Sequence, residues 1–134
     1  MNEQTLCKLA IEAMERAYAP YSRYTVGAAL LGKSGKVYLG CNVENVAYSP
    51  TICAERTAVV KAVSEGERQF AMLAVVGGKH GEIVGAFPPC GVCRQVLSEF
   101  CEPDFPVLLV TGADSFEKTT LGALLPCSFS EGKV

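Results

Sequence analysis

The first third of the chain alternates amphipathic and apolar stretches. Apolar residues recur at helical spacing from 5 to 18, which predicts a helix that Pro20 ends. Residues 26–31 are apolar and include small side chains, which is typical of a buried strand. The G-K-S-G turn at residues 32–35 then predicts a hairpin into a second strand at residues 36–41.

The rest of the chain continues the alternation. Ser49, Pro50 and Thr51 precede strong helix formers, which predicts a helix over residues 54–63 that Gly66 ends. A buried strand is predicted over 70–76, closed by Gly77 and Gly78, and then a loop over 79–86 with a possible short extended piece. The remaining predicted elements are a helix at 91–100, strands at 107–111 and 116–118, and a helical turn at 121–125. Helices alternating with buried strands after a hairpin indicate an α/β sandwich around a mixed sheet.

Composition narrows the class of protein. A chain of 134 residues that is 49% hydrophobic and 19% charged predicts a single domain over residues 1–134. The net charge of −2 and the scattered basic residues give no reason to expect a nucleic-acid partner. The polar amino terminus lacks a signal core, and the apolar runs are too short to span a membrane. We therefore expect a soluble, cytoplasmic protein.

Seven cysteines form an odd set without regular spacing, so we expect metal ligands, catalytic groups or core residues rather than disulfides. Three of them stand in two short runs, C-A-E-R at residues 53–56 and P-C-G-V-C-R-Q at residues 89–95. Cys90 and Cys93 share one face at a predicted helix start, and Cys53 lies at another. Helix amino termini favour thiolates. Zinc with three protein ligands and an open fourth position is the catalytic pattern.

Three charged neighbours have two interpretations each. Glu55 follows Cys53 by two residues and is placed to move protons, although a Glu in a first helical turn also stabilises the helix. Arg56 and Arg94 could offset the negative charge of three thiolates, with Arg56 the better candidate, or they could be solvated surface charges.

The polar run C-N-V-E-N at residues 41–45 is either a binding loop or an ordinary turn. His80, the single histidine, is predicted to be solvated.

With these residues the sequence resembles the cytidine deaminase family, specifically its short type with three cysteine ligands. The resemblance rests on the two runs above together with Y-S-R-Y-T-V-G-A-A-L, C-N-V-E-N and L-L-P-x-S-F, in order from Tyr21 to Phe129. It implies a three-layer α-β-α sandwich around a five-stranded mixed sheet. It also implies zinc-dependent hydrolytic deamination of cytidine and deoxycytidine, in pyrimidine salvage.

The resemblance further implies a role for each matching residue. Cys53, Cys90 and Cys93 would hold Zn²⁺, and Glu55 would protonate N3 of the pyrimidine and then the leaving amine. Asn42 and Glu44 would bind the ribose hydroxyls. The Ala54 N–H would contact the base, and Tyr24 would line the base pocket. Arg56 and Gln95 would support the thiolates. Members of this type are homotetramers with shared sites, which makes Tyr48 and Phe129 candidates for contacts across subunits, with Phe129 stacking on the base.

Two positions depart from the family pattern. Tyr24 stands where Phe is usual, which could add a hydroxyl to the pocket and change base or sugar preference. Cys127 stands where small residues are common, close to Phe129. Its thiol could in principle reach a metal, but a small core residue is the simpler interpretation.

Several alternative functions remain open. A related deaminase could act on a modified cytosine nucleoside of the blasticidin type, although C-N-V-E-N argues against it. An enzyme that edits tRNA or DNA is disfavoured by the acidic composition and by a cysteine as first ligand. From other classes, C-G-V-C could serve a thiol redox protein, or a fourth cysteine (Cys41, Cys101 or Cys127) could close a structural zinc site.

Overall fold

The amino-terminal helix is shorter than its apolar pattern predicts. The structure is a computed structural model that describes residues 1–130, and α1 spans Glu3–Met14 in it. The side chain of Asn2 caps the helix by accepting a hydrogen bond of 2.8 Å from the Thr5 amide. The predicted continuation to Tyr18 is wrong, because the Tyr18 backbone pairs with the loop after the second strand. It donates to the Asn42 carbonyl and accepts from the Glu44 amide, each at 2.9 Å.

The predicted mixed sheet is confirmed. Its strands are β1 (Tyr24–Gly32), β2 (Val37–Cys41), β3 (Phe70–Lys79), β4 (Glu82–Ile83), β5 (Pro106–Gly112) and β6 (Ser115–Thr120). Five of them form the order β2-β1-β3-β5-β6, in which only β3 and β5 pair in parallel. The two-residue β4 pairs with the end of β3, so the described sheet has six strands rather than five.

Strand β3 does not end before its glycines. Gly77 and Gly78 lie inside the strand, where they pair with Val26 and Thr25 of β1. Both glycines are buried, because other side chains and backbone pack where their own side chains would be. Gly77 therefore marks a close packing contact and not the strand end that the sequence indicates.

Helices cover both faces of the sheet, which confirms the three-layer α-β-α architecture. One core lies between the sheet and α1, and it includes Leu6, Leu31 and Val76. The other lies under α2 (Ala54–Ser64), α3 (Gly91–Phe100) and the short α4 (Leu121–Leu124). None of the helices in residues 1–130 is long and apolar enough to cross a membrane.

The start of α2 packs directly on strand β2. A β-carbon at Gly40 would come within 2.3 Å of the Ala54 carbonyl oxygen and 2.6 Å of the Ala58 nitrogen. A side chain at position 40 would therefore push the helix off the sheet. Gly40 thus fixes the height above the sheet of the residues at the α2 amino terminus.

Candidate active site

Two helix amino termini bring three thiols together. Cys53 is the N-cap residue of α2, and Cys90 is the N-cap residue of α3. The Cys93 amide donates to the Cys90 sulfur at 3.4 Å. The predicted placement of both cysteine runs at helix starts is confirmed, and such positions favour the thiolate form.

The three sulfurs fit a zinc ion. Cys53 Sγ lies 3.6 Å from Cys90 Sγ, which lies 3.3 Å from Cys93 Sγ. Tetrahedral zinc with bonds of about 2.3 Å sets its sulfur ligands about 3.8 Å apart, so small shifts would seat the ion. Within residues 1–130, these three are the one group of His, Cys, Asp or Glu side chains arranged to hold a metal. Cys41, Cys101 and Cys127 are outside it, so the structure does not support a closed four-cysteine site.

Arg56 contacts the first thiol. Its Nη2 lies 3.5 Å from Cys53 Sγ and 3.4 Å from the Thr51 carbonyl oxygen. A hydrogen bond with the Cys93 thiol lowers the pKa of Cys53, and the Arg56 guanidinium lowers it further. Arg56 is therefore not a solvated surface charge but the cation beside the sulfur cluster.

The Glu55 carboxylate is buried at the same helix start. The residue is 3% exposed, and Oε1 has no hydrogen-bond partner. Burial raises the pKa of the Glu55 carboxyl to about 7. A buried carboxylate oxygen without a partner costs folding free energy, so such groups are found where a ligand or reaction uses them.

A cavity of about 370 Å³ opens onto both Glu55 and the sulfur cluster. This is the size of a pocket for one small organic molecule. Its wall consists of Ser22, Tyr24, Val26, Asn42, Glu44, Thr51, Ile52, Cys53, Ala54, Glu55, Phe87, Pro88 and Cys90. Five residues predicted from the sequence as catalytic or substrate-binding therefore line one cavity: Tyr24, Asn42, Glu44, Ala54 and Glu55.

Asn42 and Glu44 are held rigidly at the end of β2. The Asn42 carboxamide accepts from the Val26 amide at 2.8 Å and donates to the Tyr24 carbonyl at 2.9 Å. Glu44 accepts from the amides of Tyr21 and Ser22, each at 3.0 Å, and from the Ser22 hydroxyl. Burial acts to raise the pKa of Glu44, but these hydrogen bonds outweigh it and lower the pKa below its usual value. Within the run C-N-V-E-N, Asn42 and Glu44 are thus ordered parts of the cavity wall and not residues of an ordinary turn.

An aromatic wall closes the other side of the cavity. The Tyr24 ring lies 6.3 Å from the Phe87 ring, and Lys79 Nζ lies 5.0 Å from the Tyr24 ring centre. Phe87 is not predicted from the sequence as a site residue, because an aromatic residue ahead of two prolines gives no signal of where its ring lies. Ser22 lies in the Y-S-R-Y run, and no pattern in that run singles out its hydroxyl as a partner of Glu44.

Tyr48 and Phe129 lie outside this cavity. Tyr48 borders a second cavity of about 320 Å³ that shares Ser22, Glu44 and Thr51 with the first. Phe129 lines neither cavity and is 70% exposed. The two side-chain hydrogen bonds of Gln95 go to the Phe129 backbone. Its support of the thiolates stays a prediction.

Arg94 is half-buried rather than a solvated surface charge, and its part in offsetting the thiolate charge stays a prediction. Its Nε donates to the Pro89 carbonyl and its Nη1 to the Leu124 carbonyl, each at 2.7 Å. The guanidinium therefore links the loop before α3 to the end of α4 through these two hydrogen bonds. His80 is exposed at the turn between β3 and β4 with a φ of 55°.

Three thiols around an open site, with a buried carboxylate beside them in a small-molecule cavity, define a zinc hydrolase. Comparison with known proteins makes the class specific. Residues 1–109 match the family described as "Cytidine and deoxycytidylate deaminase zinc-binding region", and the chain belongs to this family. Zn²⁺ is accordingly its cofactor.

The similarity covers nearly the whole chain. A cytidine deaminase from Sporosarcina psychrophila is 50% identical over 98% of this chain and 93% of its own. One from Halalkalibacterium halodurans is 48% identical over 97% and 96% of the two chains. The crystal structure of cytidine deaminase from Burkholderia pseudomallei superposes with a TM-score of 0.87 at 46% identity, covering 96% of this chain and all of that one.

Proposed function

We propose that this protein is a cytidine deaminase, a hydrolase that acts on the C4 amino group of cytosine nucleosides. It would convert cytidine and deoxycytidine, with one water, to uridine and deoxyuridine and release ammonia. The observation that carries the proposal is the unpartnered buried Glu55 Oε1, in the same cavity as two of the clustered thiols. Relatives named cytidine deaminase at about half identity support it.

The proposed chemistry divides between the metal and one carboxylate. Cys53, Cys90 and Cys93 would hold Zn²⁺, which lowers the pKa of water and so supplies hydroxide near neutral pH. Glu55 would relay the two protons of the attacking water, the first to N3 of the cytosine and the second to the departing amine. Its burial excludes bulk water from these transfers, and the fixed start of α2 sets its distance from the base.

The substrate would be bound along the cavity wall. We assign the ribose hydroxyls to Asn42 and Glu44, because both side chains are polar, oriented and on the wall. The Ala54 amide would contact the base from the start of α2, and Tyr24 would line the base pocket. Asn42 uses one donor and one acceptor on the β1 backbone, which leaves its second N–H for a hydroxyl.

The assembly and setting are part of the same proposal. We infer a homotetramer in which Tyr48 and Phe129 contribute to a neighbour's site, and the exposure of both rings supports this. Residues 1–134 would form one deaminase domain acting in the cytoplasm in pyrimidine salvage, with no nucleic-acid partner. Residues 131–134 lie outside the described part of the chain.

The test is direct. Purified protein with a measured zinc content is mixed with cytidine or deoxycytidine, and the reaction is followed by ultraviolet absorbance and ammonia release. The expected result is one ammonia per uridine formed. Absence of reaction with zinc bound would overturn the proposal, and turnover of a blasticidin-type nucleoside alone would assign the protein to the related deaminases.

A further inference from the structure

The chain after α4 carries the exposed Phe129 ring, and helix α3 holds this segment at two points. Phe129 lies outside the helices and strands. We propose that Gln95 is a positioning residue that fixes the backbone of Phe129 and thereby aims its ring. The inference rests on the proposed function, in which that ring stacks on a nucleoside base.

The Gln95 carboxamide binds Phe129 as a second strand would. Its Nε2 donates to the Phe129 carbonyl at 2.9 Å, and its Oε1 accepts from the Phe129 amide at 3.4 Å. A carboxamide offers a donor and an acceptor side by side, which a carboxylate or an ammonium does not. Both backbone groups of one residue are thus satisfied by one side chain, which restricts φ and ψ at Phe129.

The neighbouring residue on α3 ties the other end of the segment. Arg94 Nη1 donates to the Leu124 carbonyl at 2.7 Å, and its Nε donates to the Pro89 carbonyl next to Cys90. Two consecutive residues therefore anchor the segment between Leu124 and Phe129 on the helix that also carries Cys90 and Cys93. The segment is thereby placed relative to the metal-binding helix.

Such anchoring has a thermodynamic purpose. Phe129 is 70% exposed as a residue, so its ring has little packing of its own to hold it in one place. When the backbone beneath the ring is already fixed, stacking on a ligand costs less conformational entropy. Loss of the anchor should therefore weaken nucleoside binding and leave the chemical step and the metal unaffected.

Positioning of Phe129 by Gln95 and support of the thiolates by Gln95 predict different effects when Gln95 is replaced. A residue that stabilised a thiolate would change zinc affinity and the chemical step when it is removed. A residue that positions Phe129 would change KM alone, and only while Phe129 is present. The two roles are separated by measuring zinc affinity together with a double-variant cycle.

The experiment compares Gln95→Leu, Phe129→Ala and the double variant with the wild-type holoenzyme. Gln95→Leu has similar length but neither hydrogen bond, and Gln95→Glu keeps the acceptor and loses the donor. We expect Gln95→Leu to raise KM for cytidine about 3- to 10-fold, with kcat within about 2-fold of wild type. In the Phe129→Ala background the same change should add nothing. Glu99→Gln, on the exposed side of α3, is the control and should leave KM unchanged.

Two readouts do not depend on turnover. Zinc content and competition with a chelator should match wild type in Gln95→Leu, whereas hydrogen exchange at the Phe129 amide should become faster. Weaker zinc binding, unchanged exchange, or full additivity with Phe129→Ala would each overturn the positioning role. An unchanged KM in Phe129→Ala would instead remove the stacking role from the proposed function, and wild type without deaminase activity would overturn that function itself.

Discussion

The Phe87 ring lies against the backbone of Gly77. A β-carbon at Gly77 would come within 2.3 Å of Phe87 Cγ and 2.7 Å of both ring carbons next to it. The same ring faces Tyr24 across the cavity wall and stands three residues ahead of Cys90. Because Gly77 has no side chain, the Phe87 ring can pack against β3 and form part of the wall of the candidate substrate cavity.

Gly77→Ala should displace Phe87 and reshape the cavity. The clash is with ring atoms next to the backbone, so the ring cannot swing its far end away, and we expect a stability loss of about 1–3 kcal/mol. KM for cytidine should rise because the wall moves. Thermal unfolding and steady-state kinetics measure the two effects.

The matched control is Gly112→Ala in strand β5. The new methyl group there would meet only the Ser115 hydroxyl, which can rotate away. The double variant Gly77→Ala/Phe87→Ala removes the obstructing ring and should lose less stability than Phe87→Ala and Gly77→Ala do in sum. Equal stability losses in Gly77→Ala and Gly112→Ala would contradict the assigned contact.

Glu55→Gln tests the proton carrier. The amide keeps the shape of the carboxyl group but cannot take up and release a proton, so kcat should fall about 10²- to 10⁴-fold. Because Glu55 is not in the sulfur cluster, zinc should remain near one ion per chain by metal analysis. Turnover close to that of wild type would remove Glu55 from the proposed role.

Arg56→Gln should weaken zinc binding. The guanidinium donates to Cys53 Sγ at 3.5 Å and offsets the charge of three thiolates, so its loss should reduce zinc affinity about 10- to 100-fold. Titration with a competing chelator measures the change. Arg68→Gln removes an exposed cation in the loop before β3 and is the control. Similar affinities in the two variants would show that Arg56 has no specific part in the metal site.

The order and type of the main elements could be predicted from periodicity, because the sheet and both helical layers bury apolar residues at regular spacing. The errors fall where tertiary contacts override local signals. Residues 15–18 have a helical pattern, but the Tyr18 backbone gains two hydrogen bonds from the loop around Val43. Gly77 resembles a strand end because a glycine packed under a distant ring looks the same in sequence as a glycine in a turn.

The metal cluster could be predicted because the type of its ligands and their spacing in the sequence are both typical of a zinc site. Helix geometry alone places Cys90 and Cys93 on one face at a helix start and Glu55 close to Cys53 at another, and a catalytic zinc site needs both groups in one place. The position of the Phe87 ring and the hydrogen bonds of Arg94 could not be predicted, since each depends on which distant segment packs beside the residue. Arg94 binds a carbonyl 30 positions away, and no local pattern encodes that pairing.

The Glu67 carboxylate should make stability depend on pH in a defined direction. It accepts from the Ser34 hydroxyl at 2.5 Å and from the Tyr38 hydroxyl at 3.1 Å. The Ser34 hydrogen bond lowers the pKa of Glu67 below its ordinary value of 4.5. Above that value the carboxylate is charged in both states, and the full stabilisation is present. As pH falls through the lowered folded pKa, the unfolded chain binds a proton more readily, and the stabilisation is lost.

Glu67→Gln should therefore lower the melting temperature near pH 7 and have a smaller effect near pH 3. The melting temperatures of wild type and variant are compared at the same pH. Zinc release in acid affects both proteins alike and therefore cancels in the difference between their melting temperatures. Glu117→Gln on β6, an exposed carboxylate, should give a small difference at both pH values. A Glu67→Gln difference that stays constant or grows in acid would mean that the Ser34 and Tyr38 hydroxyls do not favour the charged carboxylate.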